Sequence, residues 1–202
     1  MEGNRPASKA GTWYKSNPTQ LNSELELNLS NASKTKPWAK SIIGPHAGFD
    51  FSGPTAAWAY VHINPETTTR IFLLGPSHRA YIEGCALPAS SIYETPLGNI
   101  PVDMDTVMEL NATGLFSQLN KKVEEGEHSL ELHLPYIRKA CEGKDIKLVP
   151  IMVGQIKSNK AEAYGAILSQ YYKDPGTVFI ISTDFCHWGQ GFDYIPYDSN
   201  KG

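Results

Sequence analysis

Basic charge is not in excess in this 202-residue chain: 18 lysines and arginines face 21 aspartates and glutamates, a net charge of −3. No Lys/Arg run is present, and aromatic residues are not interleaved with a basic patch. Both absences argue against a nucleic-acid surface, and the first against an anionic membrane. Long apolar runs are missing too. None approaches the roughly 18–20 residues of a membrane span, and the opening stretch MEGNRPASKAGTWYKSNP has no apolar signal core. Cysteine is scarce. Cys85, Cys141 and Cys186 are odd in number, widely spaced and without a CxxC partner, so neither a disulfide framework nor a structural zinc site is expected. A reducing cytosol, or the nucleus, is the expected setting. The G-x-S-x-G elbow, the Walker loop and the G-x-G-x-x-G fingerprint are absent. PLGNIP and VGQIKSNK are turns rather than phosphate cradles.

What is present is enough apolar material for a core, 41% of residues, arranged in alternating periods. Leu21, Leu25 and Leu29 recur at spacing four and predict an amphipathic helix over 18–32. KSIIG predicts a strand, SGPTAAWAYVHI a helix capped by Ser52, RIFLLG a strand, and DMDTVMELNATGLF a helix. EHSLELHLPYIRKAC predicts a helix around Pro135, IKLVPIMVG a strand, KAEAYGAILSQYYKD a helix, and TVFIIS the last strand. Residues 1–17 are expected to be irregular. Continuous apolar strands alternating with helices predict one α/β domain over 1–202, a parallel-sheet core covered by helices on both faces. The last strand leads only into QGFDYIPYDSNKG. A central parallel strand normally feeds another covering element, so the expectation is a chain that lacks its C-terminal part, with an edge strand and exposed tail as the alternative.

Three of the predicted strands end on histidines. SIIGPHAG releases His46, IFLLGPSHR releases His78, and VFIISTDFCHWG releases Asp184 and His187. In a parallel sheet the carboxyl ends lie along one edge, where open α/β folds bind ligands. Side chains far apart in sequence can therefore converge there. Imidazole, carboxylate and thiol are the donors of transition metals, and neutral histidine serves both as ligand and as proton carrier. Gly44–Pro45 and Gly75–Pro76 are expected to make rigid turns that hold the histidines.

Further candidates flank this edge. In EGEHSLELHLPYI, Glu131 follows His128 by three residues, which on a helix puts both on one face beside the stripe Leu130, Leu134 and Ile137. From there they could reach the edge of a pocket; a charged helix start, with Glu127 at its positive dipole end, is the competing reading. His133 falls on a different face and is expected to be structural, and His62 to sit at a helix end. Cys186 lies between Asp184 and His187. It either approaches the site or, if those two both face it, packs away.

AGTWY (10–14), IIGPHAGFDFSG (42–53), RIFLLGPSHR (70–79), EHSLELHLPY (127–136) and STDFCHWGQ (182–190) together resemble the Memo family, mediators of ErbB-driven cell motility. The likeness runs in order along nearly the whole chain. It implies the fold of class III extradiol dioxygenases, non-haem iron enzymes with a parallel-sheet core. It implies His46 and His78 as metal ligands, Asp184 and His187 as motif residues beside the metal, and His187 as the acid/base of the dioxygenase relatives. It further implies an iron or copper ion, redox activity, microtubule capture at the cell front, and recognition of phosphotyrosine segments of receptor tyrosine kinases or of their adaptors. No small-molecule substrate is settled by it. The family's third protein ligand, a cysteine well downstream of DFCHWG, has no counterpart before Gly202, and Lys9 stands where relatives often carry histidine. Three functions compete: a metal-binding signalling protein, an active ring-cleaving dioxygenase, and a metal-free phosphopeptide-binding module.

Overall fold

The structure, a computed structural model, describes residues 3–200. Along the chain run β1 (Asn4–Arg5), α1 (Pro18–Asn31), β2 (Ser41–Gly44), α2 (Phe49–Tyr60), β3 (Arg70–Pro76), β4 (Cys85–Leu87), β5 (Ile92–Tyr93), β6 (Ile100–Pro101), α3 (Met104–Ala112), β7 (Phe116–Gln118), α4 (Lys121–Gly126), α5 (Leu134–Ala140), β8 (Lys147–Val153), α6 (Ser158–Tyr172) and β9 (Thr177–Ser182). Short 3-10 turns cover Glu131–His133 and Gln190–Phe192.

The main sheet has the order β2-β9-β3-β8-β4-β7. Its first four strands are mutually parallel, β4 runs antiparallel to β8, and β7 runs parallel to β4. A small second sheet joins β1, β5 and β6. The fold is thus α/β with a mostly parallel six-stranded sheet flanked by helices, as the alternating pattern predicts. Alternation along the strands sorts side chains to two faces. Phe72 and Phe179 stack at 4.7 Å and pack under Tyr171 and Tyr172 of α6. Each contributes about 1.5–3 kcal/mol by leaving water. On the other face, Gly44, Gly75 and Ser182 lie under the segment that runs from residue 129 into α5. Cover is incomplete at β2, where Ile43 is 52% exposed.

β9 lies between β2 and β3, so the last strand is interior rather than an edge strand. Other boundaries move for local reasons. Helix α2 starts at Phe49 rather than beside Ser52. Its N-cap is Gly48, Pro54 lies inside it, and the Ser52 hydroxyl donates back to the carbonyls of Ala47 and Gly48. Helix α3 stops at Ala112 because Gly114 takes φ +70°, after which Phe116–Gln118 is a strand. The expected helix from Glu127 is not one helix. Residues 127–130 are non-helical, a 3-10 turn follows, and Pro135 sits in the first turn of α5. The N-terminal segment carries β1 rather than being wholly irregular.

The two Gly–Pro pairs do not make the turns expected of them. Gly44 ends β2, Gly75 and Pro76 lie within β3, and neither glycine has positive φ. Their value is close approach. A Cβ on Gly75 would stand 2.8 Å from Leu130 Cδ2 and 3.0 Å from Ser129 Oγ, and one on Gly44 would stand 3.0 Å from His133 Cε1. Both glycines let the 129–133 segment sit directly on the strand ends. Gly75→Ala is accordingly expected to cost about 1–3 kcal/mol by overpacking, read as a lower urea midpoint with an unchanged slope. An unaltered midpoint would mean that the segment yields freely.

Candidate metal centre

Three neighbouring strands deliver the first residues of the site. His46 lies two residues beyond the end of β2, His78 two beyond β3, and Asp184 two beyond β9, the strand between them. Strands β2 and β3 are therefore about 10 Å apart, twice the usual strand spacing, and their histidines lean inward over β9. The ring centroids of His46 and His78 are 5.3 Å apart.

His128 completes the group. It arrives from the non-helical segment after α4, its ring 4.4 Å from His78 and 5.4 Å from His46. Each of the three histidines offers one nitrogen within 4.8 Å of the other two, the spacing of donors around a single ion. His128 thus stands in the cluster itself rather than at a pocket edge, and its approach owes nothing to a helical face shared with Glu131.

Two of the imidazoles are oriented from behind. The Ser182 hydroxyl donates to the Ser129 carbonyl at 2.7 Å, so its oxygen accepts from His46 Nδ1–H, also at 2.7 Å. That fixes the tautomer of His46 and leaves its Nε2 lone pair free. His78 Nδ1 lies 2.9 Å from Glu127 Oε1. His128 Nδ1 is 3.2 Å from the same oxygen without the alignment of a hydrogen bond, and counts as a buried atom with no partner. Its ring is sandwiched between His78 and Trp13, the latter at 4.6 Å.

Burial drives His128 down to about 4, helped by the like charges that His78 and His46 would carry and opposed by Glu127. His46 is lowered for the same first reason, against the pull of Asp184. Neither carries a proton to spare at neutral pH, so each has a lone pair for a metal. Glu127 goes the other way. Burial alone would raise it, but hydrogen bonds from the amides of His78, His128 and Ser129 and from the His78 ring hold it at about 2, ionised. Sequence reasoning placed Glu127 only as a helix-start charge and missed this function. The signal was available in its position directly before His128.

The other candidates separate. Asp184 Oδ1 accepts the His46 amide at 2.6 Å, while Oδ2 lies 3.6 Å from His46 Nε2 and 3.7 Å from His187 Nε2. His187 is half exposed and stands one carboxylate away from the triad, outside the set of close donors. Asp184 and His187 form one wall of a cleft of about 390 Å³ whose other lining is largely apolar, including Ile43, Pro45, Phe51 and Phe185. Cys186 is exposed and outside the donor set; Phe185 at φ 56° breaks the extended alternation there. Glu131 is fully buried and faces the N-terminal segment, not the triad. Arg5 Nη2 pairs with it at 2.8 Å, Tyr14 Oη donates at 2.8 Å and the Lys9 amide at 2.7 Å. It clasps the strand of chain that holds Trp13 on His128.

The sequence matches the family model of the Memo-like proteins over residues 5–201. The chain belongs to the Memo family. It is 44% identical to the human and the Xenopus laevis proteins called Protein MEMO1, over 200 residues that make up 98% of this chain and 67% of theirs. It is 42% identical to the Caenorhabditis elegans Protein memo-1 homolog, over 99% of this chain and 57% of that one. A Memo-family chain with three clustered imidazoles fits a divalent ion on its own chemistry: two of the donors, His46 and His128, are held neutral by burial, His46 and His78 are oriented by hydrogen bonds, and among the described residues His128 Nδ1 has no partner.

His133 lies beneath the site, buried against Tyr60. Burial lowers it to about 3 from an ordinary 6.5, and its Nδ1 is 2.7 Å from the Tyr60 hydroxyl. The unfolded chain therefore takes up a proton that the folded one refuses. The contribution is intact above about pH 6.5 and is lost as pH falls from there toward about 3. The urea midpoint of metal-free protein should drop between pH 7 and pH 5, with a shallower drop in His133→Gln whatever its absolute stability. Equal slopes would show that His133 titrates normally.

Proposed function

We propose that the chain is a metal-binding signalling protein of the Memo kind, holding iron or copper on His46, His78 and His128. The observation that carries this reading is the triad itself: three imidazoles whose donor atoms lie within 4.8 Å, all turned inward from separate elements. Imidazole donors suit iron and copper among the first-row metals. The ion, when bound, would supply redox chemistry. The chain's own residues do the rest. Ser182 and Glu127 orient the rings of His46 and His78, Trp13 packs against His128, and an apolar-lined cleft opens beside the cluster at Asp184 and His187. Asp184, between His46 and His187, holds the acid/base pair, and the half-exposed His187 exchanges protons with solvent or with a small molecule seated in the cleft. Receptor tyrosine kinase-dependent motility, microtubule organisation and iron or copper balance, acting in the cytoplasm and nucleus through phosphopeptides or adaptors, are the cellular roles proposed with it.

A ring-cleaving dioxygenase is the second reading, favoured by the cleft: its mostly apolar lining meets a carboxylate and an imidazole on one wall, the arrangement an aromatic diol would need.

Metal analysis decides the first reading. Purified protein loaded with iron(II) or copper(II) and desalted should retain close to one ion per chain. His46→Ala, His78→Ala and His128→Ala should each lose most of it while keeping the far-UV spectrum. Full retention in His128→Ala would remove that residue from the ligand set. His187→Ala should keep the ion and lose redox turnover. Oxygen uptake with catechols in the iron-loaded protein tests the second reading, and its absence would end it.

A further inference from the structure

The carboxylate of Glu127 is 1% exposed, yet among the described residues no lysine or arginine ion-pairs with it. This is not for want of a cation nearby. Arg5 donates to the backbone carbonyls of Glu127 and Glu124 and gives its ion pair to Glu131 instead. An ionised group taken out of water without a counter-charge is costly, and chains seldom keep one without a use. Its polar contacts all point one way. Oε2 accepts the His78 amide at 2.6 Å. Oε1 accepts the His78 ring at 2.9 Å, the His128 amide at 2.9 Å and the Ser129 amide at 3.1 Å, and lies 3.2 Å from His128 Nδ1.

A carboxylate can only accept, so the proton between it and His78 belongs to Nδ1, which turns the Nε2 lone pair of His78 toward the other rings. The same group binds the backbone on both sides of the gap, the amide of His78 after β3 and the amides of His128 and Ser129 after α4. It fixes the distance between two donors that come from separate elements. The remaining donor, His46, has only a neutral hydroxyl behind it.

We infer that Glu127 is the positioning residue and built-in counter-anion of the triad: it sets the tautomer of His78, holds His128 beside it, and supplies the buried negative charge that a cation among the three imidazoles answers. The inference rests on the metal-binding reading of the triad. It goes beyond that reading in placing a large part of the affinity on a residue that never touches the ion. Outer carboxylates behind metal-bound histidines are worth about 10–100-fold in metal affinity.

The test compares full-length wild type with Glu127→Gln and Glu127→Asp. Long-range 1H–15N correlation on metal-free, histidine-labelled protein reads the tautomer of His78, and cobalt(II) titration with competing chelator reads affinity. Wild type should carry the His78 proton on Nδ1. Glu127→Gln should populate the Nε2-protonated form and weaken cobalt(II) about 10–100-fold. Glu127→Asp keeps the charge and should lie between the two. A purely structural role would lower the melting temperature of both variants without reordering their affinities by charge, and would overturn the inference. So would an Nε2-protonated His78 in wild type, a measurement that stands even if Glu127→Gln fails to fold. So would cobalt(II) affinity in Glu127→Gln within twofold of wild type. Wild type that binds no cobalt(II), iron(II) or copper(II) would instead sink the metal reading of the triad and, with it, the counter-anion role, while the tautomer measurement still decides what Glu127 does to His78.

Discussion

Three parallel strands side by side, β2, β9 and β3, finish in register, and the chain leaves each one with a polar residue two positions later. Gly44 pairs with Ser182 across the first boundary and Leu74 with Ile181 across the second. That shared rim is what makes His46, Asp184 and His78 neighbours although 138 positions separate the first two. Backbone hydrogen bonds of the sheet therefore set the site's dimensions before any side chain is considered. Strands about 10 Å apart at the flanks bring imidazoles to about 5 Å only by leaning over the strand between, so the middle strand must end in something small. Ser182 is that residue, and its hydroxyl is used as well, bridging His46 to the Ser129 carbonyl.

The fourth side of the site comes from a segment that would not sit there without missing atoms. Gly44 and Gly75 let residues 129–133 press onto the strand ends, and the same segment delivers His128 at its front and His133 and Glu131 at its back. Three titratable residues within six positions thus do three different jobs. His128 faces the cluster, Glu131 clasps Arg5 and Tyr14, and His133 meets Tyr60 in the core. The clasp matters to the site at one remove. A buried Arg–Glu pair adds little net stability over an apolar substitute, but this one orders the chain from Arg5 to Tyr14, and with it Trp13, whose ring forms one face of the His128 sandwich.

How much of this the chain announces depends on which interaction dictates it. Continuous apolar strands ending in histidine are a local pattern, so the parallel core and the convergence of His46, His78 and Asp184 were legible from residues alone. The place of His128 was not. Helical spacing in EHSLELHL pointed to a face shared with Glu131, but the tertiary demand that Glu127 cap the strand-end amides outweighs helix propensity, and the chain stays open until the 3-10 turn. The roles of Gly44 and Gly75 were misread for a related reason. Glycine before proline is a turn signal in sequence, whereas here its lack of a Cβ answers a neighbour 55 positions away, Leu130 against Gly75. The small strands β4 to β7 carry too few residues for any period to show.

Among the described residues, His128 Nδ1 is buried without a partner, Glu127 keeps a buried charge that no lysine or arginine pairs with, and two of the imidazoles are held neutral by burial. The orphaned ring nitrogen costs on the order of 1–3 kcal/mol, whereas the Glu127 charge is met by hydrogen bonds from the amides of His78, His128 and Ser129 and from the His78 ring. A cation at the centre meets several of these demands together: it takes the lone pairs and balances the carboxylate. Binding of that kind necessarily stabilises the folded state, because the unfolded chain has no preformed triad to offer. The same accounting separates the triad from the Asp184–His187 pair beside it. His187 is half exposed and stands at the cleft, outside the set of close donors. The rim of the sheet therefore holds a buried His46, a half-buried His128 and a more exposed His78 in one donor cluster, with the half-exposed His187 a carboxylate away.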